Sequence, residues 1–144
     1  MSEHRITLQA DIAAPVEEVF AAFADHETFG KLWPGRTQRI REGATHPNGE
    51  GSVRHVRSGL VELEETTTVY QPSEQLEYRI TRGTPLRDHY GRLHFHGSDS
   101  GTRVDYEVYF RCPIPLLGRL IARQLKQSFN RQIGPWSEAL QATT

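Results

Sequence analysis

The stretch PLLGRLIARQLKQSFNRQIGPWSEALQA, Pro115 to Ala142, decides how the rest of the chain must be read. Leu117, Ile121, Leu125, Phe129, Ile133, Trp136 and Leu140 recur at spacings of four and three, which is one face of an α-helix. Arg119, Arg123, Lys126 and Asn130 fall on the opposite face. At about 1.5 Å per residue such a helix spans roughly 40 Å, enough to cross a small domain. Ser128 and Gln132 project onto the middle of the apolar face, where a core helix would carry Leu or Ala. Gly134-Pro135 predicts a kink or a restart, because proline lacks the N–H and its ring crowds the carbonyl four residues back. A helix of this kind has to lie on a large apolar surface.

The preceding residues supply strands. Ile6, Leu8, Ala10 and Ile12 alternate with Arg5, Thr7, Gln9 and Asp11, the pattern of a strand with one buried face. Pro15, at a first helical position, opens a short helix with Glu17 and Glu18 in its first turn and Val16, Val19, Phe20 and Phe23 as its stripe. A second short helix is expected over Glu27 to Leu32, ended by Trp33-Pro34-Gly35. From there the period is near two. The predicted strands are Thr37–Glu42, Ser52–Ser58, Leu60–Tyr70, Gln75–Thr81, His89–His96 and Thr102–Arg111, separated by turns rich in Gly, Pro, Asn, Asp and Ser. Short connections favour antiparallel neighbours. The expected fold is therefore α+β: about seven antiparallel strands in a curved sheet, two short helices after the first strand, and a long C-terminal helix on the sheet's open face.

With 144 residues and neither repeats nor a linker, the chain is expected to be a single domain, residues 1–144. Seventeen Lys and Arg against 18 Asp and Glu leave a net charge of −1, so no overall field points to nucleic acid. The single cysteine, Cys112, excludes an intrachain disulfide and paired-cysteine zinc motifs. The N-terminal residues alternate rather than forming an apolar run, and no stretch is apolar enough to span a bilayer, so a cytoplasmic location is expected.

Several stretches together resemble a known superfamily. They are Ala14-Pro15-Val16-Glu17-Glu18-Val19-Phe20, then Trp33-Pro34, Gly51-Ser52-Val53-Arg54, Glu65 seven residues before Pro72, Leu76-Glu77-Tyr78, and Gly101-Thr102-Arg103-Val104-Asp105-Tyr106. In this order they resemble the START-like (SRPBCC) superfamily, most of all its polyketide cyclase/dehydrase-like branch, over essentially the whole chain. The resemblance implies a helix-grip fold holding a small hydrophobic ligand between sheet and helix. It also admits aromatase/cyclase or dehydratase enzymes and ligand-free protein-interaction modules, which stay as alternatives.

Alternation nominates the residues facing the long helix: Val104, Tyr106, Val108 and Phe110, then Leu93 and Phe95, then Leu76, Tyr78 and Ile80. The apolar phase Val61, Leu63, Val69 also carries Glu65 and Thr67. A carboxylate there is costly unless partnered, and Arg54, across a hairpin turning near Gly59, is the expected partner. Either the two orient a ligand with Tyr78, or they form a structural ion pair, or a bulge turns Glu65 outward. The expected ligand-lining set is Trp33, Arg54, Glu65, Tyr78, Leu86, Phe95, Tyr106, Val108, Leu125, Ser128, Phe129 and Gln132, with a mouth near Trp33, Leu86 and the Pro113–Leu117 turn. Glu65, Arg54 and His89 are the only candidates for acid–base work. His94 and His96 lie in the outward phase, no third metal ligand accompanies them, and neither metal nor cofactor is expected. The basic outer face of the long helix reads as a solvated face or as a docking surface for an anionic membrane or a protein partner.

Overall fold

In the computed structural model, which describes residues 1–59 and 61–142, a seven-stranded antiparallel sheet curves against a long helix. The elements in chain order are β1 (Ser2–Ile12), α1 (Val16–Ala24), α2 (His26–Gly30), β2 (Arg36–Arg41), β3 (Val53–Ser58), β4 (Val61–Gln71), β5 (Gln75–Arg82), β6 (Arg87–Ser98), β7 (Gly101–Cys112) and α3 (Pro115–Ala142). The predicted start of the fourth strand at Leu60 lies outside the described residues. Strand order is β1-β7-β6-β5-β4-β3-β2, so only β1 is displaced from sequence order and every other strand pairs with its successor. This is the helix-grip arrangement.

Alternation sets the core. Ile6, Leu8, Ala10 and Ile12 of β1 are buried, opposite Val108, Tyr106, Val104 and Thr102 of β7. Leu93 faces Tyr106 on one side and Leu76 on the other, continuing the apolar layer across β6 and β5. The layer changes phase in β4, where the register slips between Thr67 and Val69. Val69 therefore pairs with Glu77 on the outer face, and Tyr70 takes the inner position, its ring edge-on to Phe20. The expected inward phase of Val69 is corrected by this bulge, since one extra residue reverses every side chain beyond it.

The short helices begin by different devices. Pro15 precedes α1 as an extended cap, its carbonyl accepting from Val19 N–H at 3.1 Å, one position earlier in the helix than expected. Asp25 caps α2, its Oδ2 accepting from Thr28 N–H at 2.9 Å. The helix then covers His26–Gly30 rather than Glu27–Leu32.

The long helix runs unbroken through Pro135, so of the expected kink or restart the restart does not occur. Pro135 and Arg131, whose carbonyl loses its partner, are both exposed, so water replaces the missing bond. Phe129 and Trp136 are buried, and Arg119 and Arg123 are exposed. Ile121 and Leu125, expected to be buried, are only half-buried. The reason is placement: α3 packs chiefly along β1 and β7, while α1 and α2 share the cover of the remaining sheet. The N-terminal turn of α3 touches His4 and Cys112 at Gly118, where no side chain would fit. Its C-terminal half is tied to α2 and the residues after it, Ser128 Oγ donating to Leu32 O at 2.7 Å and Trp136 Nε1 to Thr28 O at 2.9 Å.

Phe129 closes the centre of this interface. Replacing it with Ala should lower unfolding stability by about 3–5 kcal/mol, read from urea denaturation.

Candidate functional site

Beneath α2, in an interior otherwise apolar, lies a buried polar cluster. Arg54 of β3 and Glu65 of β4 face one another in register. Arg54 Nε donates to Glu65 Oε1 at 2.6 Å, with 4% of the arginine side chain and 14% of the glutamate side chain exposed. The guanidinium packs into the corner of two edge-to-face rings, 4.5 Å from the centre of Phe29 and 4.4 Å from that of Tyr78, whose own centroids are 5.7 Å apart. Tyr78 can lie there because its cross-strand neighbour is Gly91, and a Cβ at that position would collide with the phenol ring.

Two further groups complete the cluster. Arg54 Nη1 approaches His26 Nδ1 at 3.2 Å, and His26 Nε2 lies 2.7 Å from Ser52 Oγ. An arginine can only donate, so Nδ1 is the acceptor and the imidazole proton sits on Nε2, directed at Ser52. Burial, aided by the neighbouring Arg54 charge, lowers the His26 pKa to about 3 and keeps the ring neutral. The hydroxyls of Tyr78 and Tyr106 share a short hydrogen bond. Burial raises the pKa of both phenols, so they remain protonated donors. His89 stands at the edge of the cluster, its ring 5.7 Å from that of Tyr78. Its Nδ1 accepts from Ile80 N–H at 3.0 Å, and burial lowers its pKa to about 4.

One donor is left over. Arg54 Nη2 is buried and has no protein hydrogen-bond partner among the described residues. A small, partly open space of about 10 Å³ is lined by Phe29, Arg54, Thr67 and Tyr78 among others. That is room for a single water molecule.

The structure places the expected lining residues in different settings. Arg54, Glu65, Tyr78 and Tyr106 converge on the cluster. Trp33 is half-buried and lines an open groove with Gly30, Lys31 and Thr37. It is wedged inward, its ring centroid 5.8 Å from Phe29 and 6.2 Å from both Tyr106 and Phe129. The open chamber expected between Trp33 and Leu86 is thus corrected to a space filled by aromatic rings. Phe95 lies deeper, packed on Phe20 and Phe23, and Val108 is buried against β1. Ser128 is engaged by the Leu32 carbonyl, while Leu86, Leu125 and Gln132 are half-buried along the helix seam. His94 and His96 are exposed, and among the described residues no three His, Cys, Asp or Glu side chains converge as a metal site. The sequence reading missed His26, Ser52 and Phe29. Only the Asp25 cap, which starts α2 at His26 and turns it inward, could have signalled the first.

The family model described as polyketide cyclase/dehydrase and lipid transport matches residues 3–134. The chain belongs to this family. Solved structures agree in fold. A START superfamily protein from Mycobacterium smegmatis is 14% identical, with a TM-score of 0.73 over 98% of this chain and 99% of its own. The Zhui aromatase/cyclase from Streptomyces sp. R1128 is 14% identical, with a TM-score of 0.72 over 97% and 94%. A protein from Thermus thermophilus reaches 0.74 at 15% identity, over 98% and 99%. No curated protein matches in sequence. Among the described residues no helix of this family member is long and apolar enough to cross a membrane.

The cluster's electrostatics can be checked by mutation and by pH. Arg54→Ala leaves Glu65 buried and unpaired and should cost about 3–5 kcal/mol, whereas Arg54→Met with Glu65→Leu should recover most of that loss. Stability should also fall with acid. The unfolded His26 and His89 bind protons near pH 6.5 and the folded ones only near 3 and 4. Their contribution is complete above pH 6.5, then declines by about 1.4 kcal/mol per pH unit for each ring as the pH drops towards those values. His26→Asn should remove one proton's share of that slope in urea midpoints measured from pH 7 to 4.

Proposed function

We propose that the protein binds a small hydrophobic molecule, lipid-like or polyketide-like, between the sheet and α3, and does so as one cytoplasmic domain. The observation carrying this reading is the unpaired Arg54 Nη2, a cationic donor buried among Phe29, Tyr78 and their neighbouring rings. A molecule with an apolar body and one carbonyl or carboxylate satisfies both surroundings at once. Room for it comes from displacing Trp33 and Phe29, the rings that fill the space. The half-buried row Leu117, Ile121, Leu125 and Ile133 marks the seam where α3 is least tightly closed. Family membership, with its lipid-transport and cyclase members, supports the same ligand class.

Turnover is the second reading. It is favoured by the nearness of Arg54, the hydrogen-bonded phenols of Tyr78 and Tyr106 and the neutral His89 ring beside Tyr78, groups with which a cyclase or dehydratase would polarise a carbonyl and move protons. The Zhui aromatase/cyclase shares the fold, and incubation with a poly-β-ketone substrate would expose such activity.

Binding is tested with 1-anilinonaphthalene-8-sulfonate and its displacement by fatty acids and by aromatic ketones. The wild type should bind the dye saturably. In Arg54→Met/Glu65→Leu, affinity for carboxylate or carbonyl competitors should fall by about tenfold or more, while hydrocarbon competitors are little affected. No saturable dye binding, with no small molecule carried through purification in native mass spectrometry, would overturn the reading.

A further inference from the structure

The antiparallel order brings the ends of all seven strands to two opposite ends of the molecule, and these differ in charge. Loop residues 42–52, 72–74 and 99–100 at one end carry Glu42, Glu50, Glu74 and Asp99 and no Lys or Arg, against one strand-terminal arginine there, Arg41 of β2. At the other end the strands start or stop in Arg36, Arg57, Arg82, Arg87 and Arg111, which outnumber the acidic Glu3, Glu62 and Asp88 beside them. The first turns of α3 rise from that second end. Between Glu107 and Glu138 the chain has no acidic residue, yet it carries Arg111, Arg119, Arg123, Lys126 and Arg131.

Large apolar side chains stand in the middle of this basic region. Ile114 is 52% exposed, Leu116 77% and Leu120 53%. Leu116 and Leu120 are four residues apart and so share the outward side of α3, with Arg119 and Arg123 beside them. Pro113 and Pro115 flank Ile114 and hold the corner stiff. Arg87, Arg119 and Arg123 make no ion pair among the described residues, whereas Arg111 is paired with Asp88 at 3.1 Å and lies across from Glu3.

We propose that this end docks on an anionic phospholipid bilayer. Ile114, Leu116 and Leu120 enter the boundary between headgroups and acyl chains, and Arg87, Arg119 and Arg123 meet the phosphates. The shape favours lipid over protein. Three protruding side chains on a convex corner cover far less than the roughly 800 Å² per partner that a stable protein interface needs, but they suit a fluid surface that closes round them. Arginine stems can lie along apolar side chains while their heads stay in the polar layer, which suits an interface. An approach by the acidic end would be repelled near the bilayer surface, so encounters favour the basic end. The inner side of these same helical turns carries Leu117, Ile121 and Leu125, so docking would set the helix seam against the bilayer. The purpose of docking, though not its existence, rests on the hydrophobic-ligand reading above.

Flotation with vesicles tests it. Wild-type protein should bind phosphatidylcholine/phosphatidylglycerol vesicles, bind phosphatidylcholine alone far less, and detach as salt rises. Arg119→Gln/Arg123→Gln should weaken binding about fivefold for each charge removed. Leu116→Ser/Leu120→Ser should weaken it about tenfold or more. All these side chains are exposed, so thermal midpoints should hold, and dye binding without vesicles should be unchanged in both variants. Vesicle binding that ignores charge, that is absent, or that survives both double substitutions would overturn the proposal. So would a concentration-dependent dimer abolished by Leu116→Ser/Leu120→Ser, which assigns the face to a second copy. Vesicle binding with no dye binding in the wild type would strike only the ligand reading.

Discussion

A guanidinium keeps its charge in any surroundings, so the burial of Arg54 is the constraint around which the interior is built. Its charge must be met where it stands, and each neighbour is held by that need. Glu65 has to be directly across the hairpin, which fixes the register of β3 on β4. Phe29 has to lie against it, which fixes how α2 sits, and Asp25 starts that helix at the residue that lets His26 face inward. Tyr78 has to lie against it too, which requires glycine at position 91. His26 must be unprotonated to accept from the arginine, and burial makes it so. A hydrophobic core alone would tolerate slippage among β3, β4 and β5, where the ladder already holds two irregularities. The ion pair tolerates none.

How much of this could be read from the sequence depended on whether the cause was local. Alternation in β1 and β7 and the four-three spacing of α3 are local signals, and they gave the sheet, the helix and the basic outer face. The Arg54–Glu65 pairing was legible because a hairpin turning near Gly59 leaves few partners for a charge on an apolar face. The bulge at Thr68 was not, because nothing in Glu65-Thr66-Thr67-Thr68-Val69-Tyr70 marks the extra residue, and apolar Val69 and Tyr70 suit either phase. Pro135 misled for a related reason: its local cost is real, but it falls where water can take up the freed carbonyl. Trp33 was read as a rim residue because it adjoins Pro34-Gly35. Its inward turn depends on Phe29, Tyr106 and Phe129, residues brought together only by the complete fold.

The incomplete burial of α3 has a physical origin that bears on any ligand. The helix is fastened at its start, where Gly118 packs against His4 and Cys112, and again through Ser128 and Trp136, whose side chains bond the carbonyls of Leu32 and Thr28. Between these fixings the inner face relies on Ile121 and Leu125, each open to solvent on one side. Two polar tethers and a glycine contact limit sliding along the axis, but they do little against a small outward movement of the middle turns. Opening a helix seam of this kind separates apolar side chains already half hydrated, which costs less than parting a dry interface of equal length.

That asymmetry gives the aromatic filling a different meaning from ordinary core packing. Tyr106 and Phe129 are fully buried, yet the Trp33 ring above them is half-buried and rests on edge-on and tilted contacts with centroids 5.8 to 6.2 Å apart. Such contacts are each worth about 0.5–1.5 kcal/mol beyond area burial, and an incoming aromatic or acyl surface can replace them nearly in kind. The Arg54 Nη2 donor lacks even that compensation in the closed state, because the small space lined by Arg54 admits water at most. Exchange of rings for ligand is therefore close to balanced in apolar contact. On the proposed reading a polar ligand atom at Arg54 would tip it, so selectivity should reside in that atom's position along the ligand rather than in the length of the apolar body.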